Sequence, residues 1–202
     1  MKKILLISLM ALFSATALAQ TGEPVISADR PGMSTGTDVM PQGKIQWETG
    51  VGYESEGGAA TYTLNNTLVR FGLVDWPAVR VGMDLLHGNG TTGLSALNIG
   101  TKIALVENEG WVPAISLLAN LQCPRIGSSD FTPSHLAPQL YVLFQNQVTS
   151  WFNVGYNVGA EWDGTLAEPS TFAAVCLGFS ITESLGCFVE SYNYFHSLGN
   201  TY

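Results

Sequence analysis

The sequence predicts an all-β chain, an antiparallel up-and-down β-barrel that crosses a membrane on its strands. Three observations carry that prediction. Apolar and polar residues alternate with period 2 over runs of about ten residues, roughly twice the usual soluble strand. The connections between runs are by turns long and short, as in outer-membrane barrels with long external loops and short periplasmic turns. Aromatic residues gather at the run ends, where membrane interfaces select them.

The alternation is clearest from Leu94 to Gln122. Leu97, Ile99, Thr101, Ile103 and Leu105 share one face, and Ala96, Asn98, Gly100, Lys102 and Ala104 the other. After the turn Glu107-Asn108-Glu109-Gly110, Trp111, Pro113, Ile115, Leu117, Ala119 and Leu121 oppose Ser116, Asn120 and Gln122. Ten residues at about 3.3 Å each, tilted near 40°, climb about 25 Å, the height of the apolar band of such a barrel.

The remaining runs repeat this pattern. The first strand, Lys44 to Tyr53, sets Ile45, Trp47, Thr49, Val51 and Tyr53 outward and Gln46, Glu48, Gly50 and Gly52 inward, and a loop is expected from Glu54 to Ala60. In the second, Thr61 to Phe71, the pattern slips between Leu64, Leu68 and Val69, Phe71, which predicts a bulge and leaves the facing of Arg70 open. The third sets Val79, Val81, Met83 and Leu85 against Arg80, Gly82 and Asp84, and His87 to Gly93 reads as a loop. Cys123 to His135 is the longest loop expected, followed by Leu136 to Gln147, Trp151 to Trp162, an eighth strand through Ala173, Val175, Leu177, Phe179 and Ile181, and a ninth, Cys187 to Phe195, with poorly sorted faces.

Met1-Lys2-Lys3, an apolar run from Ile4 to Leu12 and Ala17-Leu18-Ala19 form a secretory signal peptide over residues 1–19. Its removal takes two lysines and no acid, moving the net charge from −8 to −10. An irregular periplasmic segment is expected over residues 20–43, punctuated by Pro and Gly, and the barrel over 44–202. An acidic chain poor in Lys and Arg argues against a nucleic-acid partner. The partners expected are outer-membrane lipid and a small-molecule solute. Cys123, Cys176 and Cys187 have no metal-ligand or disulfide-framework spacing, so no metal and no cofactor is expected.

These residues resemble the outer-membrane transporters associated with the meta-pathway of phenol degradation. The resemblance runs from about residue 29 to 196 and rests on Asp29-Arg30-Pro31-Gly32-Met33-Ser34-Thr35-Gly36, Pro41-x-Gly43, and Glu48, Gly50 and Tyr53. It continues through Arg70-Phe71-Gly72-Leu73, Arg80-x-Gly82, Leu97-x-Ile99-Gly100-x-Lys102, Asn153-x-Gly155-Tyr156 and Phe188-Val189-Glu190. It implies an outer-membrane barrel that moves small molecules, apolar or aromatic ones among them. Ala96 stands where family members often carry Asp. The family looks longer by several strands, and His196 to Tyr202 reads as a loop, so the expectation is a barrel of about twelve strands cut short after the ninth.

Strand alignment brings Glu48, Arg70, Arg80 and Lys102 to neighbouring heights, with Glu190 across the lumen. Two readings stay open: a constriction that selects solutes, or an ion-pair network that plugs or braces the lumen. Asp84 and Glu161 are expected higher in the lumen, where they would disfavour anions. The segment from Asp29 to Gly36, with Asp29 and Arg30, is either a gate folded into the lumen or a periplasmic clasp, and the reading leans to the clasp. A passive transporter or channel is the function expected, with a non-conducting structural or surface-binding barrel as the alternative. An acyl-chain hydrolase would need His87, His135 or His196 set against Ser134 or Ser197 and an acid, and no enzyme motif accompanies them; the chain is read as no enzyme.

Overall fold

The computed structural model describes residues 28–29, 32–56, 58–74, 77–182 and 185–195. The expected signal peptide, Arg30, Trp76 and the loop expected from His196 to Tyr202 lie outside them. The elements are β1 (Ile45–Glu56), β2 (Ala59–Gly72), β3 (Pro77–Gly88), β4 (Thr91–Leu94), β5 (Leu97–Val106), β6 (Ala114–Cys123), a 3₁₀ turn (Ser129–Phe131), β7 (Ala137–Thr149), β8 (Phe152–Glu161), β9 (Ser170–Ser180) and β10 (Gly186–Phe195). Nine of them pair antiparallel in the order β1-β2-β3-β5-β6-β7-β8-β9-β10, and β4 pairs only with β3. The result is an antiparallel half-barrel. Among the described residues, β1 and β10 are each paired on one side only.

The two faces follow the sequence alternation. On the convex face Ile45, Trp47, Val51, Leu117, Leu140, Val158, Val175 and Val189 are exposed, whereas Arg70, Arg80, Lys102, Ser116, Asn157 and Glu190 are buried on the concave one. Bulges fall between Gly50 and Gly52 on β1 and between Thr63 and Asn65 on β2. The second accounts for the slip in the pattern, because one extra residue returns Asn66, Leu68 and Arg70 to the inside, where all three are buried. The open question of Arg70 thereby resolves inward. On β10, Tyr192 and Tyr194 stack about Phe172 of β9, so Glu190, Tyr192 and Tyr194 face inward and Val189 outward.

Two expected loops are instead strand. Most of the Glu54 to Ala60 stretch is strand, because β1 continues to Glu56 and β2 begins at Ala59, with Glu54↔Thr61 and Ser55↔Ala60 in register. Within His87 to Gly93, β3 runs to Gly88 and folds back as β4 through Asn89 and Gly90, with φ of 51° and 77°. Two successive positive φ values make a twisted two-residue hairpin turn, and Asn-Gly is its strongest sequence signal. The β8–β9 connection is a loop as expected. There the amides of Leu166 and Thr165 donate to the Asp163 carboxylate and hold its pKa below the usual aspartate value.

Trp47, Trp111 and Trp151 are exposed at one end of the sheet, and Tyr53 and Tyr62, 5.1 Å apart, at the other. The three cysteines are free, and Cys176 pairs in register with Glu190 rather than with Cys187.

The chain enters β1 over the end of β2. Gly43, at φ 72°, makes the turn, its amide donates to the Gly72 carbonyl at 2.8 Å, and the Gly72 amide donates to Lys44 at 2.9 Å. A Cβ on Gly72 would collide with the Pro41 carbonyl. Backbone on both sides leaves no flexible side chain to yield, so Gly72→Ala is expected to destabilise the folded protein by about 1–3 kcal/mol. A lower melting temperature by circular dichroism in detergent, with unchanged strand content before the transition, is the measurement.

Candidate functional site

The segment preceding β1 lies inside the curve of the sheet and touches every strand of its main path. Asp29 comes first, 3 % exposed. Its amide donates to Glu48 of β1 at 2.8 Å. Its carboxylate takes Lys102 Nζ of β5 at 2.8 Å to both oxygens, Arg80 of β3 at 3.2 Å and Arg70 of β2 at 3.4 Å. Arg70 also holds Glu48 at 2.7 Å.

The segment then reaches the far edge. The amides of Met33 and Ser34 donate to the two oxygens of Glu190 on β10 at 2.7 and 3.0 Å, and the Ser34 hydroxyl adds a bond of 2.7 Å. A Cβ at Gly32 would come within 2.8 Å of the same carboxylate, so glycine lets the backbone lie against it. Ser34 is also in hydrogen-bond contact with Cys176 of β9. Asn157 of β8 accepts from the Thr35 amide at 2.6 Å and donates to its carbonyl at 3.0 Å, as a neighbouring strand would. Thr37 donates to Gln145 of β7 at 3.3 Å and accepts from Ser116 of β6 at 2.6 Å. The Gly36 and Asp38 carbonyls complete the circuit by accepting from Lys102 at 2.8 and 3.2 Å.

The sequence thus brings Glu48, Arg70, Arg80 and Lys102 together as expected and sets Glu190 on the same concave face. It leaves out their common partner, Asp29. Of the two placements weighed for the segment from Asp29 to Gly36, the one the reading leaned to gives way: the segment is inside, where it brings Asp29 to the buried Arg70, Arg80 and Lys102 and backbone amides to the buried Glu190. Local sequence prepares the wall for it. Gly100 stands opposite Arg80 in register, with the Arg80 stem 3.1 Å from where its Cβ would be.

Burial alone would raise the Asp29 pKa, but Lys102, Arg80 and Arg70 together outweigh it and hold the carboxyl below its ordinary 3.8. A depressed acid stabilises the fold above its unfolded pKa, and the contribution is lost as pH falls through the lower, folded value. The Asp29 contribution to docking is therefore expected to hold as pH falls to 3.8 and to be lost below it.

Asp84 and Glu161 stand farther along the inner face. Asp84 is tied through its amide to the Ser95 hydroxyl at 2.8 Å. Glu161 accepts from the hydroxyls of Tyr141 and Tyr194 and from Gln139. Gly159, opposite Tyr141, leaves room for the tyrosine ring flat against the backbone. His87 Nδ1 lies 2.7 Å from Thr92 Oγ1, and His135 Nδ1 3.0 Å from the Gly164 carbonyl, which calls for a proton on that nitrogen.

The fold and site define an antiparallel β half-barrel whose concave face is charged and is occupied by its own N-terminal segment. A family model described as "Putative MetA-pathway of phenol degradation" matches residues 28–202, and the chain belongs to that family. Comparison with curated proteins and with solved structures finds no match.

Two substitutions separate the anchors. Asp29→Asn leaves three cations facing a neutral amide, and Glu190→Gln replaces two charge-assisted bonds by weaker ones. Each is expected to loosen the segment, Asp29→Asn by about 3–5 kcal/mol of lost pairing. A spin label at Met33→Cys, in a chain whose native cysteines are serine, should gain mobility over the parent in both variants at pH 7.

Proposed function

We propose that the chain is an outer-membrane β-barrel protein that lets small molecules pass passively, with the segment from Asp29 to Met40 as the element that governs passage. The observation that carries this reading is the reversal of polarity between the two faces: apolar side chains stand exposed on the outside and the ion pairs are inside. In water, an apolar outer surface of this extent is an aggregation hazard, whereas against lipid it is the favourable arrangement. Trp47, Trp111 and Trp151 at one end and Tyr53 and Tyr62 at the other support two interfacial girdles. The leader at residues 1–19 supports export, and family membership supports a connection with aromatic catabolism.

A second reading has its own support. The segment bonds to all nine strands and could equally serve as a permanent brace in a non-conducting barrel. Flux through the refolded full chain separates the two. In proteoliposomes the passage reading predicts uptake of small neutral solutes that rises severalfold in Glu190→Gln, where the segment is loosened while the wall cations remain. In the same assay Arg80→Glu with Lys102→Glu alters charge preference. A refolded protein and Glu190→Gln variant that both show no flux would support the brace.

A further inference from the structure

Among the described residues, the hydrogen bonds of the Lys102 ammonium go to the segment, to Asp29, Gly36 and Asp38, and none to the wall that carries it. Arg80 likewise meets Asp29. Asp29 is the carboxylate on which all three cations, Arg70, Arg80 and Lys102, converge, and Glu48 meets Arg70. Their charged groups are buried, with side-chain exposures of 2–9 %. Three cations converging on one carboxylate form a receptor for an anion, and here the anion is a carboxylate on a methylene, chemically an acetate attached to the chain.

We propose that Asp29 is a built-in stand-in for a carboxylate ligand, and that small organic monocarboxylates bind the trio Arg70, Arg80 and Lys102 in exchange for it. The inference rests on the passage reading for its consequence, release of the segment, though not for the binding itself. Exchange of one carboxylate for another keeps the buried cations paired throughout, whereas simple departure of the segment takes Asp29 from all three and leaves Lys102 without the bonds described above. The geometry suits a carboxylate in particular: one ammonium addresses both oxygens, and two guanidinium groups reach the same oxygen from adjacent strands. The amide that Asp29 donates to Glu48 belongs to the chain and has no counterpart in a free acid, so the ligand competes only for the cations.

Asp84 lies four residues beyond Arg80 on β3, about 13 Å along the strand. Glu161 stands at the same end of β8, its oxygens taken by Tyr141, Tyr194 and Gln139. Their repulsion weighs more on a di- or tricarboxylate than on a singly charged one, which narrows the class to monocarboxylates.

The test uses the full chain refolded in detergent, with acetate and the neutral acetamide as probes. Acetate observed by ¹³C relaxation should bind Asp29→Ala saturably, tighter than acetamide by about tenfold or more. Adding Lys102→Gln should abolish the difference. Equal binding of the two probes to Asp29→Ala, or acetate binding that survives Lys102→Gln, overturns the inference. If Asp29→Ala does not fold, Asp29→Asn takes its place under the same criteria. The wild type supplies the second arm. Propionate should mobilise a label at Met33→Cys and raise flux of a neutral solute severalfold, while propionamide does neither. Mobilisation without flux leaves the ligand site standing and counts against passage. Flux indifferent to propionate, with no carboxylate binding to either variant, leaves passage standing and overturns the site.

Discussion

The Asp29 carboxylate among Arg70, Arg80 and Lys102 is the interaction on which the rest of the structure depends. Three cations on adjacent strands repel one another, and burial makes each more costly. A curved sheet with such a wall needs a counter-charge beyond Glu48. The chain supplies it from the residues before β1, whose other bonds include those of the Met33 and Ser34 amides to Glu190 on the opposite edge.

That path also explains why the polar residues of the inner face are so varied. Several meet a particular backbone group of the segment. Asn157 offers an acceptor and a donor to the two sides of Thr35, Ser116 a donor to the Thr37 carbonyl, and Glu190 an acceptor to two successive amides. A water-filled wall would need polarity without such matching. Here the matching gives an irregular segment the backbone partners that it cannot find in itself.

The strands were legible because the two faces differ chemically at every second residue, and even the slip in β2 was readable, its cause being one extra residue beside Asn65. The β3–β4 hairpin was also signalled, by Asn89-Gly90, but the glycines and threonines around it hid the turn among residues that read as a loop. The route of the N-terminal segment was not legible. Its bonds join residues from 19 to 157 positions apart, and an extended chain with side-chain partners has no period to read. The wall cations could be found from their strand positions, and Asp29 from the motif that contains it. Their meeting depends on the curvature of the whole sheet, which no local pattern encodes.

The central claim is that the segment lies inside the sheet against its far strands. Ser34 and the native Cys176 are in hydrogen-bond contact there, which makes a direct test available. In Ser34→Cys with Cys123 and Cys187 replaced by serine, mild oxidation of the intact folded protein should join position 34 to Cys176, seen by mass spectrometry as one disulfide-linked peptide pair. A thiol at position 34 that stays freely reactive in the folded protein, and forms no bridge to Cys176, would contradict the account.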